Sequence, residues 1–307
     1  MAKISVVVCT YNRSPQINFF LKYFLQQKFT NYELLIIDQS TNNKTKKTIK
    51  KYQNRLTIIY HRLKKKGISL ARNFAIKKAK GEIIAFTDDD CIADKNWLKQ
   101  INQSFKKYKN INLIFGQTLP FRPEKNKGLI CPSIFTKKTI KIIQQPCVHY
   151  KNIGFGNNMA FRKKIFNQIG VFKTWLGIGS IGKSADDAEL AIRALIKGNK
   201  ILYKPDIKIY HNRWLTIKQY KNLELTYNCG EMACYGYFAF QKYNFANKLV
   251  KDNLMHFLRN CQQTVISVFK FKKNSFVNFR DLTKEFIFKL KGIIIAFYFY
   301  QFDPLVR

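Results

Sequence analysis

The sequence predicts an α/β protein built on a mostly parallel sheet with helices on both faces, and three observations support this fold class. Short apolar runs alternate with segments of helical spacing over residues 4–90. Strands that alternate with helices in this way form parallel sheets with right-handed crossovers. Three consecutive acids, Asp88, Asp89 and Asp90, follow one apolar run, at the strand end where open α/β sheets bind ligands.

Apolar runs and turn residues locate the elements of the N-terminal part. We expect four strands, at residues 4–9, 34–37, 56–60 and 83–86. We expect three helices between them, at residues 16–27, 44–54 and 68–80. Ser14 and Pro15 form a start signal for the first helix, and Gly81 closes the third.

Residues 94–214 continue the fold with longer loops. The expected elements are a helix over 94–108, a strand over 111–117, a short strand over 157–161 with a short helix after it, a helix over 186–197 and strand-like pieces over 200–210. Residues 120–155 are expected to be rich in loops. Three glycines within residues 175–183 indicate a mobile lid.

The chain is expected to contain two domains, an α/β domain over residues 1–214 and a helical extension over residues 215–307. The extension is rich in aromatic residues and Lys. One expectation is a face that lies on an anionic membrane; the other is a helical subdomain or dimer contact. The residues considered for the membrane face are Tyr235, Tyr237, Phe238, Phe240, Lys270, Lys272 and Lys273.

The composition is that of a globular, strongly basic protein. Of 307 residues, 46% are hydrophobic and 15% aromatic, which excludes a disordered chain. The 55 Lys and Arg against 18 Asp and Glu give a formal charge of +37. This charge favours nucleic acid, an anionic membrane or a phosphorylated substrate as partner, unless it reflects compositional bias alone. Because no nucleic-acid-binding signature accompanies it, we do not expect a nucleic-acid partner.

Cysteine usage and the chain ends indicate a cytoplasmic protein. The seven cysteines form no CxxC pair, which is typical of reduced thiols in the cytosol. The first residues enter a strand directly, without the pattern of a signal peptide. The apolar stretch over residues 292–300 is far shorter than the ~20 residues of a spanning helix. We therefore expect at most a peripheral contact with the inner face of the membrane.

An ordered set of motifs over residues 3–214 resembles the family 2 glycosyltransferases. The matching segments, in chain order, are 5–13, 33–38, 67–73, 88–90, 156–162, 186–190 and 210–211. They resemble the family's opening nucleotide-binding strand, its second strand, its arginine-bearing helix, its DxD motif, its acceptor segment, its acidic pair and its late histidine. The resemblance implies the GT-A fold and a nucleoside diphosphate sugar as donor.

For the donor, the resemblance implies a set of residues at the ends of the first strands. Thr10, Tyr11 and Arg13 would lie beside the nucleotide, and Asp38 would accept a hydrogen bond from the base. Arg72 would offer its planar donors to the diphosphate or the base. The ordinary alternatives are a loop cap for the first two residues, a turn start for Asp38 and a solvated surface position for Arg72.

The acid run is the expected metal site. Adjacent carboxylates repel and raise each other's pKa, so a cation is expected beside them. The resemblance implies that Asp88 reaches the ribose or the metal, that Asp90 and His211 bind a divalent metal, and that Asp89 supports the cofactor site from the middle of the run. Oxygen ligands favour Mg²⁺ or Mn²⁺. The alternatives are a solvated acidic turn and a histidine packed in the core.

Asp187 is the expected catalytic base for transfer to an acceptor hydroxyl. Asp186 and Glu189 would crowd its carboxylate and raise its pKa. Two questions stay open: which acid of the pair 186–187 is the base, and whether both only cap a helix. The residues that the resemblance implies for the acceptor or the lid are Asn157, Asn158, Trp175 and Asp186.

Together these features predict a glycosyltransferase with a metal-assisted, inverting single displacement. The acceptor would be a glycan, a lipid-linked sugar or a polysaccharide precursor, and the chain could form a homodimer. Two other functions are considered, a basic nucleic-acid-binding protein and a catalytically inactive module that binds sugar nucleotides. The intact acids Asp88, Asp90 and Asp187 argue against the inactive module.

Overall fold

A computed structural model of the chain describes residues 3–146, 152–269 and 275–302. The chain divides into two compact units. One comprises Met1–Thr174 and Asp187–Ile217, and the other comprises Trp175–Asp186 and Lys218–Arg307. The first is an α/β unit, and the second is helical.

The elements of the described residues follow one another in the order that an α/β fold requires. They are β1 Ile4–Thr10, α1 Ser14–Phe24, β2 Tyr32–Asp38, α2 Lys44–Lys50, β3 Ile58–Arg62, α3 Ile68–Lys78, β4 Ile83–Asp88, β5 Cys91–Ala93, α4 Trp97–Lys107, β6 Ile111–Pro120, a 3₁₀ turn Pro123–Lys125, β7 Lys141–Ile143, β8 Asn158–Arg162, α5 Ile165–Ile169, α6 Asp186–Ile196, β9 Lys200–His211, α7 Ile217–Phe240, α8 Asn244–Phe269 and α9 Ser275–Gln301.

The strands form one mixed sheet in the order β3-β2-β1-β4-β8-β6-β9-β5, with β7 also paired to β9. The four N-terminal strands are parallel, β8 is antiparallel to both of its neighbours, and β6 is parallel to β9. The predicted α/β class with a mostly parallel sheet is confirmed.

Two apolar layers cover the two faces of the sheet. Along β1, Val7 points to one layer, which also holds residues of α3, α5 and α6. Val6 and Val8 point to the other layer, which holds residues of α1 and α4. Because both faces are covered, the strands read as continuous apolar runs rather than as alternating ones.

Strand register brings the predicted site residues to one edge of the sheet. In the parallel ladders, Thr10 pairs with Asp38, and Cys9 pairs with Asp88. The side chains that follow β1, β2 and β4 therefore lie at the carboxyl ends of three adjacent strands. This is the edge at which open α/β sheets place their ligand crevice.

Several elements differ from the expected ones. Strand β7 lies inside the segment expected to be loop-rich; it has only three residues, two of them exposed, so its sequence carries no alternating pattern. Strand β9 continues through Pro205, where the register against β6 shifts between Gly116 and Gln117. The proline lies in this irregularity, where no ladder hydrogen bond from its nitrogen is needed.

The second unit consists of α7, α8, α9 and the segment 175–186. Gly292 of α9 lies so close to α7 that a Cβ at this position would overlap the carbonyl oxygen of Cys229. Such close packing requires a residue without a side chain. Among the described residues, no helix has an apolar stretch that is long enough to span a bilayer.

The aromatic membrane face expected on this unit is wrong in its residues. Tyr235, Tyr237 and Phe238 are at most 3% exposed, because residues 229–238 of α7 are buried on all sides of the helix. The lysines at 270, 272 and 273 lie outside the described residues.

Candidate donor and metal site

The three acids of the run differ in exposure. Strand β4 ends at Asp88 and β5 begins at Cys91, so Asp89 and Asp90 form the turn between them. The side chain of Asp88 is 35% exposed, whereas those of Asp89 and Asp90 are 3% exposed. Asp88 therefore faces solvent, and the other two carboxylates are turned into the protein.

Arg13 binds the two buried carboxylates. Its Nη2 lies 2.6 Å from Oδ2 of Asp90, and its Nη1 lies 3.0 Å from Oδ1 of Asp89. The hydroxyl of Thr10 donates to the other oxygen of Asp89 at 2.7 Å. Asp89 therefore links the acid run to the end of β1 through Thr10 and Arg13. These contacts are structural ones that support the site.

The electrostatics of this cluster separate the two buried acids. Burial raises the pKa of Asp89 to about 7, although the Arg13 charge acts in the opposite direction. Burial acts on Asp90 as well, but the hydrogen bond and charge of His211, together with Arg13, hold the pKa of Asp90 well below its usual range. Burial lowers the pKa of His211, but its hydrogen bond with Asp90 outweighs this and raises the pKa to about 10.

Asp90 and His211 present two ligand atoms to the same point. Nε2 of His211 lies 3.3 Å from Oδ1 of Asp90, and no other described residue donates a hydrogen bond to this oxygen. Nδ1 of His211 lies 2.8 Å from the carbonyl oxygen of Pro132, a contact that orients the ring with Nε2 toward Asp90. The buried carboxylate oxygen and the oriented imidazole suit a divalent metal, which would take the place of the proton on Nε2.

Cys91 is the third member of this cluster. Its Sγ and the ligand atoms of Asp90 and His211 all lie within 4.8 Å of one another. Burial raises the pKa of the Cys91 thiol well above its usual value, so the thiol stays protonated. A neutral thiol is a poor ligand for Mg²⁺ or Mn²⁺, which leaves Asp90 and His211 as the suitable pair.

Arg72, Gly156 and Asp187 form a connected group beside the acid run. Nη2 of Arg72 lies 3.7 Å from Oδ1 of Asp88 and donates to the carbonyl oxygen of Gly156 at 3.3 Å. The N–H of Gly156 donates to Oδ2 of Asp187 at 2.5 Å, and the N–H of Ala188 donates to its Oδ1 at 2.9 Å. The predicted base is thereby held in one orientation and linked to the acid run.

Glu189 is paired with an arginine of its own helix. Its side chain is fully buried and receives hydrogen bonds from Nε and Nη2 of Arg193, one helical turn later, at 2.8 and 2.7 Å. The guanidinium compensates the charge of Glu189. Glu189 is therefore held by a partner within α6, and its effect on Asp187 stays a prediction.

The residues expected at the nucleobase are only partly accessible. Asp38 is fully buried; it accepts hydrogen bonds from the hydroxyl of Tyr60 at 2.8 Å and from the N–H of Ser40 at 2.9 Å. Asp38 is enclosed by these partners, so its contact with a base stays a prediction. Tyr11 is half-buried, with the ammonium of Lys66 over its ring at 4.2 Å.

The two asparagines of the expected acceptor segment have different environments. Asn158 is inside the sheet, where its amide donates to the carbonyls of Gln117 and Ile207 and accepts from the indole of Trp97. Its hydrogen-bonding groups are bound to the sheet and to Trp97, and its role at an acceptor stays a prediction. Asn157 accepts from Thr118 at 3.1 Å, while its buried amide nitrogen has no partner among the described residues.

The remaining expected residues belong to the helical unit. Trp175 stacks on Phe299 with ring centroids 4.6 Å apart. Gly182 donates to the carbonyl oxygen of Trp175 at 2.8 Å, so the glycine-rich segment folds back on itself. Asp186 is buried at the start of α6. Their function as lid or acceptor residues stays a prediction.

Sequence reasoning missed Pro132 and Tyr60, the residues that hold His211 and Asp38. A backbone carbonyl leaves no signal in a sequence, which explains Pro132. Tyr60 ends the strand predicted over 56–60, and a tyrosine hydroxyl at a strand end is only a weak indication of a hydrogen bond to a neighbouring strand. Cys91 directly follows the acid run, but the sequence indicates only a reduced thiol and not its position beside Asp90 and His211.

Comparisons with known proteins identify the family of the chain. The model of the family "Glycosyl transferase family 2" matches residues 5–170. Poly(ribitol-phosphate) beta-N-acetylglucosaminyltransferase TarP of Staphylococcus aureus is 27% identical over 220 residues, which cover 68% of this chain and 62% of TarP. TarS, the enzyme of the same description from that species, is 34% identical over 103 residues, or 32% of this chain and 18% of TarS. The matched segments thus span less than two thirds of either relative.

Solved structures share the fold. TarS 1–349 in complex with UDP-GlcNAc matches with a TM-score of 0.56 and 24% identity, over 69% of this chain and 58% of that chain. Mannosyltransferase PcManGT from Pyrobaculum calidifontis, in complex with GDP-Man and Mn²⁺, matches with a TM-score of 0.63 and 15% identity, over 98% of this chain and 88% of that chain. The fold is that of the GT-A glycosyltransferases. Because the family model matches more than half of the sequence, the chain belongs to glycosyl transferase family 2.

Proposed function

We propose that the chain transfers a sugar from a nucleoside diphosphate sugar to an acceptor hydroxyl by a metal-assisted single displacement with inversion. The observation that carries the proposal is the cluster of Asp90, His211 and Arg13 at the carboxyl edge of β1 and β4. This edge is where an α/β sheet binds nucleotides. The relative TarS was crystallised with UDP-GlcNAc and PcManGT with GDP-Man, which supports a donor of this class.

The residues of the acid run would bind and orient the donor. Asp90 and His211 would hold Mn²⁺ or Mg²⁺, which would neutralise the charge that develops on the departing diphosphate. Arg13 fixes one oxygen of Asp90 and leaves the other toward His211. Asp88, the most exposed acid of the run, would contact the ribose or the metal. A mixed carboxylate and imidazole site suits Mn²⁺ better than Mg²⁺.

Arg72 would contribute positive charge to the donor site. Its guanidinium is buried between the rings of Phe86 and Phe172, at 5.9 and 5.4 Å from their centroids. These rings, the Gly156 carbonyl and Asp88 restrict its position. A preorganised guanidinium stabilises a diphosphate without first having to be ordered.

Asp187 would act as the general base. It accepts the proton of the acceptor hydroxyl while that oxygen forms a bond to the anomeric carbon and the bond to the diphosphate breaks. Attack from the side opposite the leaving group inverts the anomeric configuration. The N–H groups of Gly156 and Ala188 hold the carboxylate in place for this step.

The acceptor we propose is a hydroxyl of a cell-surface polysaccharide or of its lipid-linked precursor. TarP and TarS are described as poly(ribitol-phosphate) glycosyltransferases, so their acceptor is a polyanion. The formal charge of +37 would attract such a polymer.

The test is a donor panel. UDP-GlcNAc, UDP-glucose and GDP-mannose are each incubated with the chain, Mn²⁺ and poly(ribitol phosphate), and release of nucleoside diphosphate is measured. We expect turnover of one donor that needs Mn²⁺ and is lost in Asp187→Asn. Transfer with retained configuration, read by NMR of the product, contradicts the single displacement. Donor binding without turnover for any acceptor supports the inactive module instead.

A further inference from the structure

An apolar face runs along the exposed side of α9. Its side chains are between 45 and 59% exposed, a large fraction for residues of this kind. They recur at intervals of three, four and seven positions, which places them on one side of a helix. The residues that define this α9 face are Phe286, Ile287, Leu290, Ile294, Phe297 and Tyr298.

The opposite side of α9 is already packed inside the helical unit. Ala296 is fully buried, with its Cβ 2.9 Å from the position that a Cβ on Gly236 of α7 would occupy. Lys289 is also buried and binds Asn253 of α8. The side of α9 that carries Ala296 and Lys289 therefore packs against α7 and α8. The apolar α9 face lies on the other side and is not explained by this packing.

The charges beside the α9 face are basic. Among the described side chains of α9, the exposed charged ones are Arg280, Lys284 and Lys291. Helical spacing places all three along one border of the face. The two acids of α9 lie elsewhere and are paired, Asp281 with Lys221 at 2.7 Å and Glu285 with Lys289 at 3.4 Å.

We propose that the α9 face docks on an anionic membrane surface, with α9 lying in the plane of the interface. Apolar side chains on one face and basic residues at its border are the features of an interfacial helix. The basic side chains would reach anionic headgroups while the apolar ones enter the acyl boundary. A second copy of the chain is a less suitable partner for the α9 face. Its own α9 carries the same basic residues and no exposed acids, so the two basic borders would repel each other.

Vesicle flotation of the full chain tests the proposal, with phosphatidylcholine vesicles that either contain or lack phosphatidylglycerol. The test variant carries Leu290→Asp and Ile294→Asp. The matched control carries Ile140→Asp and Val171→Asp, which change the charge equally at positions of the α/β unit that are 49 and 42% exposed. A third variant, Lys284→Gln with Lys291→Gln, removes basic charge and keeps the apolar side chains.

We expect the wild type and the matched control to float with the anionic vesicles. The α9 double-aspartate variant should lose about tenfold or more in partition coefficient, because it places charge in the acyl boundary. The lysine variant should lose roughly tenfold on anionic vesicles at low salt and little at high salt.

Three results would overturn the proposal. The first is a wild type that does not float with anionic vesicles. The second is equal loss of binding in the matched control, which would show that binding depends on net charge alone. The third is a wild-type dimer in sedimentation velocity that the α9 variant converts to a monomer, which would identify a second copy as the occupant. Thermal unfolding of each variant checks that the helical unit is still folded.

Discussion

His211 Nε2 lies 3.3 Å from Asp90 Oδ1 because β5 and β9 pair antiparallel with Cys91 opposite His211. The acid run thus continues into a strand of only three residues, and this strand fixes the distance from Asp90 to a histidine far along the chain. The metal site we propose depends on this register.

Replacing Arg13 should weaken Mn²⁺ binding. In Arg13→Gln, Oδ2 of Asp90 loses its 2.6 Å contact, and the carboxylate is free to rotate away from His211. Loss of a group that orients a metal ligand typically reduces affinity about 10- to 100-fold. Calorimetric titration of Mn²⁺ measures this, with the exposed Arg122→Gln as control. Tighter binding in Arg13→Gln would contradict the prediction and show that Arg13 competes with the metal.

Asp187→Asn should lower kcat by about 10²- to 10⁴-fold, the usual contribution of a general base. The KM for the donor should stay within about twofold, because Asp187 is not part of the donor site we propose. Asp206→Asn, at a side chain that is 57% exposed, is the control. A rise in donor KM without a fall in kcat would place Asp187 at the donor and leave the base unidentified.

Gly156→Ala should impair the same step as Asp187→Asn. A Cβ at this position would lie 2.9 Å from Oδ2 of Asp187 and 3.1 Å from Nη2 of Arg72, so one of these groups must move. We expect a lower kcat in steady-state kinetics with little change in thermal stability. In the double variant with Asp187→Asn, the two losses should be far from additive, because both act on one carboxylate. Additive losses of kcat would show that Gly156 does not act through the carboxylate of Asp187.

Arg193→Ala should destabilise the α/β unit by about 3–5 kcal/mol, because it leaves the fully buried Glu189 without its partner. Arg193 also donates to the carbonyl oxygen of Val171 at 2.9 Å, and that contact would be lost as well. Urea unfolding monitored by tryptophan fluorescence measures the change. The exposed Lys197→Ala should change stability by less than about 0.5 kcal/mol. A loss equally small in Arg193→Ala would show that this ion pair contributes little to stability.

The strands around the acid run could be predicted from sequence because local chemistry determines them. The apolar runs over 4–9 and 83–86 are buried on both faces, so each is an uninterrupted series of mostly apolar residues. The acids after β4 and the residues after β1 were expected at one edge, and parallel register brings them there. The contact of Arg72 with Asp88 also joins two residues that the family resemblance had selected.

Other features depend on long-range contacts or on burial and could not be predicted. The β5–β9 pairing and the carbonyl of Pro132 bring distant segments together. The Glu189–Arg193 pair, by contrast, has the i,i+4 spacing of a helical ion pair and could have been recognised.

The central claim is that Asp90 and His211 form a metal-dependent site for a nucleoside diphosphate. The most direct measurement is thermal unfolding of wild type, Asp90→Asn and Asp206→Asn with UDP or GDP, each with and without Mn²⁺. A nucleotide at a hundredfold excess over its Kd adds about 2.7 kcal/mol to the stability of the folded state. We predict stabilisation of the wild type and Asp206→Asn by one nucleotide, only with Mn²⁺, and none in Asp90→Asn. Equal stabilisation of Asp90→Asn, or stabilisation of the wild type that does not need Mn²⁺, would contradict the account.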